Sequence, residues 1–153
     1  MHTVFRFVRQ LLLTVLLLAL LALAAAGGYF AVMGHKLYES AVQTTPISTL
    51  YSSISSRESF VPYSQLPQTY INAVISAEDS RFVHHKGVDP VSIARALWAD
   101  LRTGSFAEGG STITQQLAKN ALFTQEKHLA RKAAEMFAAL AIEKQYNKEQ
   151  IFE

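Results

Sequence analysis

From Leu11 to Met33 the chain runs for 23 residues, LLLTVLLLALLALAAAGGYFAVM, without a single charge. A helix rising about 1.5 Å per residue over that length crosses the roughly 30 Å hydrocarbon core of a bilayer, so the run reads as a transmembrane anchor. Arg6 and Arg9 stand before it, and the positive-inside tendency keeps the N-terminus in the cytoplasm and sends everything after about Gly34 across the membrane. A cleaved signal peptide is the rival reading, since Ala22-Leu23-Ala24 and Ala24-Ala25-Ala26 both have small residues at peptidase spacing. Signal cores usually run only about 7 to 15 residues, which favours the anchor. On either reading the rest of the protein is exported.

The whole chain has 153 residues, enough for one domain of ordinary size behind the anchor. It carries 14 Lys+Arg against 12 Asp+Glu, and once Arg6 and Arg9 are set aside the exported part is balanced. A global basic footprint is therefore missing, and nucleic acid is not an expected partner. No cysteine is present, which removes disulfides, thiolate metal sites and cysteine nucleophiles. His84 and His85 are adjacent, so their rings diverge, and no third ligand follows at metal-site spacing.

Residues 34–61, with Thr44-Thr45-Pro46 and Ser52-Ser53-Ile54-Ser55-Ser56, read as a stalk or linker with one short extended piece. From 62 onward the pattern is helical. Pro67 opens a helix with Tyr70, Ile71, Val74, Ile75 and Ala77 as its apolar stripe, ending near Asp79. Asp89-Pro90 is an N-cap followed by a first-turn proline, and Ile93, Ala94, Leu97, Trp98 and Leu101 recur at helical spacing up to Gly104. A third helix starts at Ser111 or Thr112. A longer one carries Leu129, Ala133, Met136, Phe137, Leu140 and Ala141 as far as Tyr146, and Asn147 with Gln150 has capping-box spacing for one more. No alternating strand pattern competes, so the expected fold class is all-α.

Three segments carry candidate chemistry. Glu78-Asp79-Ser80-Arg81-Phe82, with His84, His85 and Asp89, crowds titratable groups at a helix end; the bland alternative is a solvated end with a Glu78–Arg81 pair and both imidazoles exposed. Gly109-Gly110 precedes a helix whose outer positions are hydroxyls, amides and a lysine, and such an N-terminus suits an anion. A capped helix with a polar face explains the same residues, and the spacing does not match a phosphate-binding Walker loop. Lys119, Lys127, Arg131 and Lys132, against Glu126 alone, make a local basic patch that leads to Glu135. Arg131 and Glu135 can also be an ordinary pair one turn apart, although the Arg-before-Glu order is the weaker one for a helix.

Together these segments resemble glycosyltransferase family 51, the peptidoglycan polymerases that occur as monofunctional transglycosylases and as the front domain of bifunctional penicillin-binding proteins. Glu78 to Asp89 is similar to that family's first motif, E-D-x-x-F-x-x-H-x-G-x-D; Gly109 to Asn120, GGSTITQQLAKN, to its second; Arg131-Lys132-Ala133-Ala134-Glu135 to its third, R-K-x-x-E. Glu143 to Glu153 resembles the opening of the fourth. The resemblance implies a lysozyme-like all-α domain over residues 62–153, C-terminally incomplete, with a membrane-embedded small lobe. It also implies polymerisation of lipid II onto a growing glycan strand, with inversion and release of undecaprenyl pyrophosphate.

On that likeness Glu78 is the base that strips the acceptor hydroxyl, and Glu135 holds the basic cluster or a divalent cation, Mg or Mn, near the diphosphate. Ser111, Thr112, Gln115, Gln116, Lys119, Asn120, Lys127, Arg131 and Lys132 would bind substrate, the cations receiving the leaving group. Lys127 stands where many members carry Arg, so a bidentate fork is replaced by a point charge. The implied setting is the bacterial plasma membrane, with lipid II, the glycan strand and other cell-wall synthesis proteins as partners. Two readings compete: a lysozyme-like hydrolase, which also uses paired carboxylates but has no diphosphate to stabilise, and an inactive membrane-anchored fragment. The sequence stops inside the fourth motif and leaves fewer than about 90 residues to bury a core, a marginal size, so weak or no activity is expected of this chain alone.

Overall fold

The computed structural model describes residues 2–104, 109–123 and 129–153, and within them the chain is helical with no β-strand. The helices are α1 (His2–Thr44), α2 (Leu50–Ser55), α3 (Gln68–Glu78), α4 (Pro90–Thr103), α5 (Ile113–Leu122), α6 (Leu129–Gln145) and α7 (Lys148–Phe152), with short 3-10 turns at Ile47–Thr49, Tyr63–Gln65 and Phe82–His84. The all-α expectation holds.

Helix ends fall where local chemistry puts them. Asp89 caps α4 by accepting from Val91 N–H, Pro90 fills the first turn, and Gly104 closes the helix in the left-handed region at φ 66°. Thr112 and Gln115 form a reciprocal capping box on α5, and Asn147 and Gln150 do the same on α7.

Helix α1 is long and apolar enough to cross a membrane, and none of its most apolar window is covered by protein. The helix does not stop where its apolar run ends. Residues 34–44 continue the same helix and pack along α6. Gly34 meets Ala130, Ala133 and Ala134, and the Tyr38 and Phe137 rings lie 6.3 Å apart. Residues 34–61 are thus not the free stalk expected from their composition. Ile47 and Leu50 are buried in the core, Tyr146 Oη donates to Ile47 C=O at 2.5 Å, and Tyr51 Oη donates to Glu153 at 2.7 Å. The apolar spacing Tyr38, Val42, Ile47, Leu50, Ile54 is the helix-docking signal that the surrounding Ser and Thr residues hid.

The core joins Ile47, Leu50, Phe82, Ala118, Ala138, Ile142 and Ile151. On α6 the buried face is Ala134, Glu135, Ala138, Ala139 and Ile142, rotated from the expected stripe, and Leu129 and Leu140 are exposed. Small residues win there because α1 and α5 both approach α6 closely. The apolar stripe of α4 also faces outward: Leu97, Trp98 and Leu101 are exposed, and only Ala96 is buried.

Candidate active site

The loop from Asp79 to Asp89 is fastened from within. Asp79, 6% exposed, accepts from Ile113 N–H at 3.1 Å and from His85 Nε2 at 2.9 Å, tying the loop to the first turn of α5. Gly87 N–H donates to His85 Nδ1, which orients the ring with Nε2 toward Asp79. Gly87 sits at φ 91°, and a Cβ there would lie 2.6 Å from Ala139 C=O, so only glycine lets the loop lie on α6. Its carbonyl accepts from Thr112 Oγ1 at 2.6 Å. Arg81 pairs with Asp89 at 2.9 Å, which replaces the Glu78–Arg81 pair of the bland reading, and His85 is buried while His84 is exposed. Burial of Asp89 raises its pKa, but hydrogen bonds from Ser92 and Val91 and the Arg81 charge outweigh that and hold the carboxyl below its ordinary value.

That clamp leaves Glu78 alone at the exposed end of α3. Its Oε2 accepts from Gln116 Nε2 at 2.7 Å, across from the second turn of α5. A few residues upstream on the same segment, Ser111 Oγ accepts from Lys132 Nζ. Lys132 also reaches Glu135 Oε2 at 3.1 Å, and Arg131 Nε stands 3.0 Å from Glu135 Oε1 in an ion contact whose N–H is not aligned as a hydrogen bond. Segment 111–116 therefore ties the candidate base, through Gln116, to the cationic group, through Ser111.

The expected substrate-binding residues divide by exposure. Ser111, Gln116, Lys119, Arg131 and Lys132 are partly exposed and Asn120 is exposed, but Thr112 and Gln115 are each only 1% exposed. The Thr112 hydroxyl is engaged by the capping box and the Gly87 carbonyl, and Gln115 gives its Oε1 to the Thr112 N–H, while Gln115 Nε2 is buried without a hydrogen-bond partner among the described residues. Both help build the α5 terminus, and Gln115 also forms part of the wall of a cleft of about 210 Å³ that Ile93, Ala96, Gly110, Lys132 and Met136 line. Lys127 lies outside the described residues.

A buried polar group missed by sequence reasoning lies behind the site. Glu143 accepts from Thr114 Oγ1 at 2.7 Å and from Lys148 Nζ at 2.6 Å, and the same ammonium sits 4.3 Å over the Phe82 ring. This joins α5, α6, α7 and the loop. The available signal was Thr114, a hydroxyl on the inward side of α5.

Glu135 fits a divalent cation poorly. Its carboxylate already faces Arg131 and Lys132, and among the described residues no three His, Cys, Asp or Glu side chains gather. A metal ion beside it would draw its remaining ligands from a bound diphosphate.

Residues 43–153 match the family model described as Transglycosylase, beginning ahead of the expected boundary at 62 and covering the docked segment after the anchor. Penicillin-binding protein 1A/1B of Bacillus subtilis is 36% identical over 95% of this chain, and penicillin-binding protein 1A of Haemophilus influenzae is 38% identical over 97%. Penicillin-binding protein 1A of Aquifex aeolicus is 45% identical over 68%. The chain spans only 17%, 18% and 14% of those three relatives, respectively. With the motif residues gathered around α5 and the family model covering most of its length, this chain belongs to the transglycosylase family, glycosyltransferase family 51.

Proposed function

We propose that the protein containing this chain polymerises lipid II at the outer face of the plasma membrane, and that this chain supplies the base and the leaving-group cations. The observation that carries the reading is the single segment 111–116, which engages Glu78 at one end and Lys132 at the other. A sugar hydroxyl attacking an anomeric carbon loses its proton as the bond forms, and Glu78, an exposed carboxylate steadied by Gln116, takes it. The anomeric carbon–diphosphate bond breaks on the opposite side, which inverts the centre. Lys132 and Arg131, with Lys119 on the next turn of α5, meet the negative charge that develops on the departing lipid diphosphate. Glu135 keeps the two α6 cations together until the diphosphate arrives. The alternative hydrolytic chemistry would leave this cluster without a partner.

Two arginines, Arg6 and Arg9, precede the span and one lysine, Lys36, follows it at a similar distance, which supports a cytoplasmic N-terminus and an exported catalytic part. The unbroken docking of α1 on α6 supports a retained anchor over a cleaved signal. Fluorescent lipid II incubated with the full protein tests the function. Polymer with one undecaprenyl pyrophosphate released per bond is expected; release of soluble sugars from preformed strands without polymer would show a hydrolase.

A further inference from the structure

Gly34 is the first buried residue of α1, one position past the end of the uncharged run. A Cβ there would lie 2.4 Å from Ala133 Cβ, 2.8 Å from Ala130 C=O and 2.9 Å from Ala134 N. Two of the three are backbone atoms that cannot swing away, so this notch brings the anchor and α6 into direct backbone contact. The contacts then advance along both helices, from Gly34 against Ala130, Ala133 and Ala134 to His35 and Tyr38 against Phe137 at 5.1 Å and 6.3 Å. The two helices are parallel. The end of α6 that carries Arg131, Lys132 and Glu135 therefore lies toward the membrane, and Gln145 lies away from it.

At about 1.5 Å per residue, all three of those charged residues fall within about 4 Å, along the axis, of the turn that Gly34 touches. Tyr29 and Phe30, in edge contact at 5.4 Å, mark the interfacial end of the span just before it. We propose that Gly34 is a positioning residue: by seating α6 in one register on the anchor, it fixes the cationic cluster at the depth of the lipid phosphates. This rests on the proposed function only for the identity of the ligand, a polyprenyl-bound diphosphate. An apolar side chain at 34 forces α6 off its seat while leaving every charged group of the cluster in the chain.

The chain has no cysteine, so a single cysteine labels one site. Leu129 and Leu140 are both exposed, and the 11 residue steps from one to the other separate their levels by about 16 Å. Leu129→Cys and Leu140→Cys, each carrying a bimane fluorophore, are reconstituted as the full chain in phosphatidylethanolamine–phosphatidylglycerol vesicles with a headgroup nitroxide. Quenching is expected at 129 and lost at 140, and Gly34→Leu should abolish that difference with helix content retained. Gly34→Ala should weaken it, and adding Ala133→Gly, which removes the nearest contact, should restore it in part. In the full protein Gly34→Leu should raise KM for lipid II more than it lowers kcat. Equal quenching at the two sites, or an unchanged difference in a folded Gly34→Leu, overturns the proposal. The expected depth profile in a protein that makes no polymer would instead remove the proposed function and leave the depth claim standing.

Discussion

Gly87→Ala and Gly104→Ala make a matched pair, because both glycines have positive φ but only one is in contact. Gly104, at φ 66°, has nothing within 4 Å of a would-be Cβ, so alanine there costs only the left-handed penalty, about 1 kcal/mol. Gly87, at φ 91°, lies further from the left-handed minimum, and its Cβ would stand 2.6 Å and 2.7 Å from the Ala139 carbonyl oxygen and carbon. Backbone strain of about 2 kcal/mol and overpacking of about 1 to 3 kcal/mol then add, giving about 3 to 5 kcal/mol. The loop can escape only by lifting off α6, which breaks the Thr112–Gly87 bond and loosens the Asp79–His85 clamp. Denaturant titration in mild detergent, followed by helical circular dichroism, should place Gly87→Ala well below Gly104→Ala at equal slope. Equal losses in the two variants would refute the claim that close seating of this loop on α6 is what glycine provides at 87.

Three other outcomes are expected. Gln116→Ala removes the bond that steadies Glu78 at a partly exposed site, worth about 1 kcal/mol, so kcat in lipid II polymerisation should fall about fivefold with KM little changed. Lys132→Met leaves Glu135 buried with Arg131 as its cation and Ser111 without its donor, and should both weaken lipid II binding and destabilise the protein by about 1 to 3 kcal/mol in the same titration. Asp89 is held below its ordinary pKa in the folded state, so its contribution is fully present above the unfolded-state value near 4 and is lost as pH falls through the lower folded value. The stability gap between the unaltered chain and Asp89→Asn should therefore close on acidification below about pH 4 and stay constant above about pH 5.

Local signals carried much of this fold. Asp89-Pro90, Gly104 and the Asn147–Gln150 pair each act within a few residues, and the ends of α4 and α7 fall on them. Thr112 and Gln115 have the same capping-box spacing, and the sequence alone does not divide their polar groups between a cap and a ligand; in the fold they form the cap, with Gln115 Nε2 left over. Periodicity found α4 and α6 but could not say which neighbour each face meets. Leu97, Trp98 and Leu101 are left exposed, and the alanines of α6 are buried because two helices approach there. The docking of residues 34–54 depends on contacts with α6 and with the turn that follows it, nearly a hundred positions away, such as Tyr146 to Ile47, which composition does not report. Glu78, Lys132 and Glu135 were recognisable as motif residues, but their connection through Gln116 and Ser111 is a product of the packing of α5.

The most direct measurement is single-turnover polymerisation of labelled lipid II by the full protein carrying Glu78→Gln, alongside a binding assay on the same preparation. The amide preserves shape and can still meet Gln116, but it cannot accept the hydroxyl proton. Lipid II binding should persist while strand formation falls at least about a hundredfold. Strand formation within a few-fold of the unaltered protein would contradict the assignment of Glu78 as the base.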